Sequence, residues 1–150
     1  MKKQLTYNLS QTQKIAKQLA RDVLKNKNNK KSFVLALEGD LGSGKTSFVQ
    51  GFAKGLGIKE KILSPTFILM KKFTIHNSQF KNFYHLDCYR LQKPKEILNL
   101  GFKEIISNPQ NIVVIEWADR IKKILPKDIV WIKFTFIDEK TREIIIKNGK

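Results

Sequence analysis

Phe33-Val34-Leu35-Ala36-Leu37-Glu38-Gly39-Asp40-Leu41-Gly42-Ser43-Gly44-Lys45-Thr46 is the stretch that decides the fold. Its first five residues form a short, continuously apolar run, which predicts a buried strand. Glu38-Gly39 stops it. Gly39, Asp40, Leu41, Gly42, Ser43, Gly44, Lys45 and Thr46 then fill every defined position of the pattern G-x-x-x-x-G-K-[ST]. Lys45 to Leu56 returns to helical spacing through Phe48, Phe52 and Leu56 and ends at Gly55 and Gly57. A glycine-rich turn between a strand and a helix suits phosphate. Glycines let the backbone wrap an anion with N–H groups pointing inward, and the helix start adds its positive dipole end. The Lys45 ammonium reaches the β and γ phosphates of a nucleotide. The Thr46 hydroxyl is a hard oxygen ligand suited to Mg²⁺.

Phosphoryl chemistry also needs an acid to hold Mg²⁺. Ile112-Val113-Val114-Ile115-Glu116 supplies four apolar residues and then a carboxylate at the C-terminal end of a predicted strand. Ligands bind at that edge of open α/β sheets. Trp117 either covers the site or belongs to the core, and the sequence does not decide. His85-Leu86-Asp87-Cys88-Tyr89-Arg90-Leu91 reads as a strand with His85, Asp87 and Tyr89 on one face and Leu86 and Cys88 on the other. Three polar groups on one face suggest a wet or functional surface. Asp87 there suits a second Mg²⁺ carboxylate or an orienter of attacking water. A zinc site of His76, His85, Asp87 and Cys88 lacks any recognised spacing. In Ser64-Pro65-Thr66-Phe67 the proline fits the first position of a strand, and Thr66 fits a switch-like hydroxyl that senses Mg²⁺ or the γ-phosphate.

Around these motifs the chain reads as strand 4–9, an amphipathic helix 10–25 capped by Asn8 or Ser10, and a polar loop 26–31. Two hairpins are expected. One joins 66–75 to 82–91 across 76–81, and the other joins 128–137 to 141–147 across 138–140. Residues 94–106 are expected to be helical with an interruption near Gly101, and 111–117 to form a central strand. This order predicts one α/β domain over residues 1–150 with a mixed parallel and antiparallel sheet. Asn8 to Thr12 is the expected adenine pocket, from its nearness to the phosphate loop.

The 150 residues suit one domain and carry 41% hydrophobic and 28% charged side chains, an ordinary globular balance that excludes a disordered chain. The longest uncharged run, Ile105–Ile115, is far below a membrane span, and no apolar stretch follows basic Met1-Lys2-Lys3 as a secretory signal requires. One cysteine, Cys88, excludes an internal disulfide framework and suits a reducing compartment, so a cytoplasmic location is expected. The formal charge is +16. A field of that sign attracts RNA, anionic lipid or nucleotide. Yet 25 of the 29 basic residues are lysine, scattered through a chain also rich in Ile and Asn, as A/T-biased coding would give. Both readings of the charge stay open.

The motifs GDLGSGKT at 39–46, SPTF at 64–67, HLDCYRL at 85–91 and EW at 116–117 occur in an order that resembles the TsaE (YjeE) family. The resemblance covers nearly the whole chain. It implies a P-loop NTPase-like three-layer domain and a bacterial ATPase needed to make N6-threonylcarbamoyladenosine in tRNA. ATP and Mg²⁺ are the implied cofactors, and TsaD and TsaB the implied partners, with tRNA reached through that complex. It further implies that Thr46 and Glu116 hold Mg²⁺, Lys45 binds phosphates, Thr66 belongs to a switch segment, and Asp87 is a catalytic-site acid. Two departures stand out. Cys88 replaces a larger apolar residue, and Lys93-Pro94-Lys95-Glu96 is more basic than the usual acidic stretch.

Other readings are a small P-loop kinase and a nucleotide-dependent RNA-binding module. A kinase needs an arginine-rich lid, and the chain has only Arg21, Arg90, Arg120 and Arg142. No N-K-x-D guanine-reading motif appears, which disfavours GTP. Intact Lys45, Thr46 and Glu116 argue against a vestigial nucleotide site.

Overall fold

A computed structural model describes residues 1–26, 30–63 and 68–149. The apolar run at 33–37 lies in β2, Phe33–Gly39, at the middle of a seven-stranded sheet. Its neighbours are β5, Asn111–Glu116, and β6, Val130–Phe136, and both run parallel to it. Beyond β5 lie β4, Asn82–Asp87, also parallel, and the antiparallel edge strand β3, Met70–Thr74. Beyond β6 come β7, Arg142–Asn148, and β1, Lys2–Thr6, both antiparallel. The sheet order is therefore β1-β7-β6-β2-β5-β4-β3. Parallel strands gather in the interior because there both faces are covered, and β5 is buried at every residue.

Two cores flank the sheet. On one face α1, Leu9–Leu24, and α2, Lys45–Gly55, bury Ala16, Ala20, Phe48 and Phe52 against Leu35, Leu37, Ile112 and Val114. On the other, α3, Lys95–Leu98, α4, Phe102–Ser107, and a 3-10 segment, Ala118–Ile124, bury Ile97, Phe102 and Ile121 against Val34, Ala36, Val113 and Ile115. This is the three-layer α/β arrangement with a mixed sheet that the motifs predict. Helices α1 and α2 touch backbone to backbone. A Cβ added at Gly51 would stand 2.4 Å from the Gln13 carbonyl oxygen, and one at Gly55 2.5 Å from that of Lys17.

Several boundaries move. Strand β1 ends at Thr6 rather than at residue 9, because Asn8 caps α1: its side chain accepts from Gln11 N at 2.9 Å, while Gln11 Oε1 accepts from Tyr7 N at 2.7 Å. The helical stretch expected over 94–106 is two short helices, broken where Gly101 takes a φ of 81°. The 3-10 segment after β5 is absent from the sequence reading. The basic stretch at Lys93 has a local use for its acid. Glu96 accepts from Gln92 N and Lys93 N at 2.9 and 3.0 Å, and these bonds hold its carboxyl below the usual range. The SPTF segment, Thr66 included, lies outside the described residues.

Candidate functional site

The phosphate-loop residues sit where β2 gives way to α2, at the C-terminal edge of the parallel strands. The loop turns on glycine: Gly42 and Gly44 take φ of 77° and 106°, and Gly44 caps α2. Gly39 lies so close to β6 that an added Cβ would stand 2.6 Å from the Phe134 carbonyl oxygen.

Lys45 folds back over this loop. Its ammonium donates to the carbonyl oxygens of Gly39 and Asp40, the latter at 2.8 Å, and to Ser43 Oγ at 3.3 Å. It also lies 4.2 Å from the centroid of the Trp117 ring. Burial pushes its pKa below the usual lysine range, while the charges of Glu116, Asp119, Asp87 and Asp40 pull the other way. An entering phosphate competes with neutral carbonyls for this cation, an exchange that charge favours.

Thr46, in the first turn of α2, donates from Oγ1 to Oε1 of Glu116 at 2.9 Å. Glu116 closes β5, is 2% exposed, and bonds through Oε2 to Nε2 of His85 at 2.6 Å. Asp87 lies beside Glu116 in the β4–β5 register and is 3% exposed. Its Oδ1 accepts from Tyr89 N at 2.9 Å. The structure thus brings Lys45, Thr46, Asp87 and Glu116 into one cleft of about 750 Å³. Leu41, Gly42 and Gly44 line the same cleft. The Thr46 hydroxyl and the Glu116 carboxylate are adjoining hard oxygen donors. That pair fits Mg²⁺, which takes one or two protein oxygens and completes its shell with phosphate and water.

Two expectations change here. The face bearing His85 is not wet: β4 is an interior strand, and His85 is 0% exposed in the core under α2. Alternation names the face of a strand but not the depth at which it lies. Tyr89 is beyond the strand end and stacks on Trp117, with ring centroids 5.0 Å apart. The zinc grouping also fails. Cys88 packs in the opposite core, where burial raises its thiol pKa to about 12, and no metal-holding group of three or more His, Cys, Asp and Glu occurs among the described residues.

Trp117 answers the question left open by its sequence. It takes a left-handed φ of 57°, unusual for a bulky residue, and lines the cleft between Lys45 and Tyr89. The Arg120 guanidinium lies 5.4 Å from the Trp117 ring and 5.6 Å from that of Tyr89. Asn8, Leu9 and Thr12 do line the cleft, joined by Tyr7. Beside them, where Thr6 pairs with Arg142, the lining continues with Glu139, Lys140 and Arg142 from the β6–β7 turn, which sequence reasoning missed. The parallel pairing of Gly39 with Phe134 brings that turn toward the loop.

Fold and site together define an α/β protein of mixed sheet with a glycine-rich loop and buried acids at the C-terminal edge of its parallel strands. The family model for "Threonylcarbamoyl adenosine biosynthesis protein TsaE" matches residues 6–144. A Rickettsia felis protein named tRNA threonylcarbamoyladenosine biosynthesis protein TsaE is 36% identical over 136 residues, 90% of this chain and 73% of its own. The Nostoc protein of the same name is 43% identical over 113 residues, 73% of this chain and 67% of its own. The crystal structure of Bacillus subtilis YdiB superposes with a TM-score of 0.73 at 31% identity, covering 99% of this chain and 86% of that one. The chain belongs to the TsaE family, whose members are involved in the biosynthesis of threonylcarbamoyladenosine in tRNA.

Proposed function

We propose that this chain is a Mg²⁺-dependent ATPase of tRNA threonylcarbamoyladenosine synthesis, hydrolysing ATP to ADP and phosphate in concert with TsaD and TsaB. The observation that carries this reading is the Thr46–Glu116 hydrogen bond. It joins the last residue of the phosphate loop to the acid at the end of β5, inside the cleft that also holds Lys45. The loop's N–H groups and Lys45 bind and orient the β and γ phosphates. Thr46 and Glu116 hold Mg²⁺, which when bound neutralises charge on the phosphates. Asp87, on the same strand edge, orients the attacking water, and Thr66 serves as the switch hydroxyl. Asn8 to Thr12 form one wall of the adenine site.

Partnership is supported by the rim of the cleft, where the apolar side chains of Tyr7, Leu9 and Leu41 are 55%, 63% and 73% exposed. Apolar groups at the mouth of a ligand cleft suit a protein that reads its contents. In this reading tRNA is handled through the complex. Among the described residues no helix is long and apolar enough to cross a membrane. The lone buried thiol suits the reducing cytoplasm.

ATP turnover, measured on the chain alone and with TsaB–TsaD, tests the proposal. Slow hydrolysis alone and faster hydrolysis with the partners is the expected result. No phosphate release in either sample would remove the ATPase assignment, and equal rates in both would remove the partnership.

A further inference from the structure

His85 is a polar residue at an apolar address. It sits on β4 between β3 and β5, 0% exposed, on the core face shared with Phe83 and Val114. A leucine or phenylalanine there would bring no polar atom of its own to satisfy. The histidine leaves one unsatisfied, since its Nδ1 is buried with no hydrogen-bond partner among the described residues. Its polar contact is made by Nε2 with Oε2 of Glu116 at 2.6 Å, and the other oxygen of that carboxylate accepts from Thr46. Both oxygens of Glu116 are therefore pinned, one from the sheet and one from α2. A glutamate held at one oxygen retains torsional freedom that metal binding must then remove.

We infer that His85 is a positioning residue: bonded to Oε2, it fixes the Glu116 carboxylate against Thr46 and so sets the affinity of the site for the divalent cation that accompanies the nucleotide. For Nε2 to donate to an ionised carboxylate the ring proton sits on Nε2, and Nδ1 is left as a bare lone pair. The arrangement has a counterpart in metal sites generally, where groups bonded to a ligand orient it and their loss costs about 10- to 100-fold in affinity. The inference rests on the reading of the cleft as a Mg²⁺–ATP site.

Two neutral variants of different reach separate positioning from packing. In His85→Gln the amide nitrogen extends to the place of Nε2, and in His85→Asn it stops short. A fluorescent ATP analogue is titrated at a series of Mg²⁺ concentrations and again in chelator, after thermal melting has shown each variant folded. His85→Asn should raise the Mg²⁺ needed for half-maximal tightening by about tenfold or more. His85→Gln should restore most of that loss, and binding in chelator should be alike in all. Combined with Glu116→Gln, His85→Asn should add no further shift. His85→Leu, which fills the space with apolar volume, gives the same contrast should the asparagine variant not fold. An unchanged Mg²⁺ midpoint in the short variant, or an equal increment in the Glu116→Gln background, would overturn the inference. Failure of the underlying reading looks different: the unsubstituted protein would then bind the analogue without regard to Mg²⁺.

Discussion

The paired strands β4 and β5 carry a polar couple at each end, and the two couples obey opposite rules. At the N-terminal end Asn82 faces Asn111. Asn82 Nδ2 donates to Asn111 Oδ1 at 2.9 Å, and Asn111 Nδ2 donates to the Ile105 carbonyl oxygen, also at 2.9 Å. Both groups are neutral, and their bonds close on protein atoms. At the C-terminal end Asp87 faces Glu116. Two acids side by side and nearly out of reach of water are a poor choice for stability. The first couple is what a fold needs to bury polar strand ends. The second suits the Mg²⁺ site proposed above. Alike in register, the ends differ in burial, since Asn82 is only half-buried, and above all in charge, which separates a structural end from the proposed chemical one.

The comparison breaks most visibly at Lys45. Lys45→Ala removes the side-chain cation at the loop and should abolish productive ATP binding, with turnover falling at least about a hundredfold. Fluorescent-nucleotide titration and phosphate release check it, and undiminished binding would disprove the loop assignment. The next effect separates the two ends. Asp87→Asn should lower kcat and kcat/KM together, by about a hundredfold, as expected of a group that acts in the transition state. Thermal stability should hold or rise, because like charges facing each other across neighbouring strands destabilise. Asn111→Ala should do the reverse. Stability should fall by about 1–3 kcal/mol through the unpaired amide and carbonyl left behind, with kcat unchanged in the folded fraction. Denaturant melts beside turnover assays decide whether the ends are as distinct as proposed.

The smallest effect concerns Cys88, directly after Asp87 but in the opposite core. Burial first, then the Asp87 and Asp119 charges, raise its thiol pKa to about 12, so the thiolate that alkylates is scarce through neutral and mildly alkaline pH. A raised thiol pKa keeps the group neutral until pH approaches that value. Iodoacetamide labelling at pH 8 should be slow in the folded protein and fast in denaturant. Rapid labelling of the folded chain would mean that this side of β4 opens.

What the sequence made legible follows locality. The loop at 39–46 and the acid at Glu116 are written in contiguous residues, each beside the apolar strand that carries it, so site and central strands were readable together. His85 was placed on the right face but at the wrong depth, because burial of β4 depends on α2 and on the flanking strands β3 and β5. Glu139, Lys140 and Arg142 reach the cleft through the pairing of β6 with β2 and of β7 with β1, contacts that no local pattern announces. The left-handed backbone of Trp117 has no signal either, since a bulky residue in that conformation is held there by its surroundings.

The absent side chains of Gly51 and Gly55 have a consequence for measurement. With no Cβ between them, α1 and α2 meet as one block. The wall at Asn8–Thr12 and the lysine at the head of α2 are then two marks on a single gauge whose spacing does not adjust. Under the proposed ATP reading, a nucleotide laid along it would be read by length: with its base against one mark, the number of phosphates would decide whether the chain of charge reaches the other.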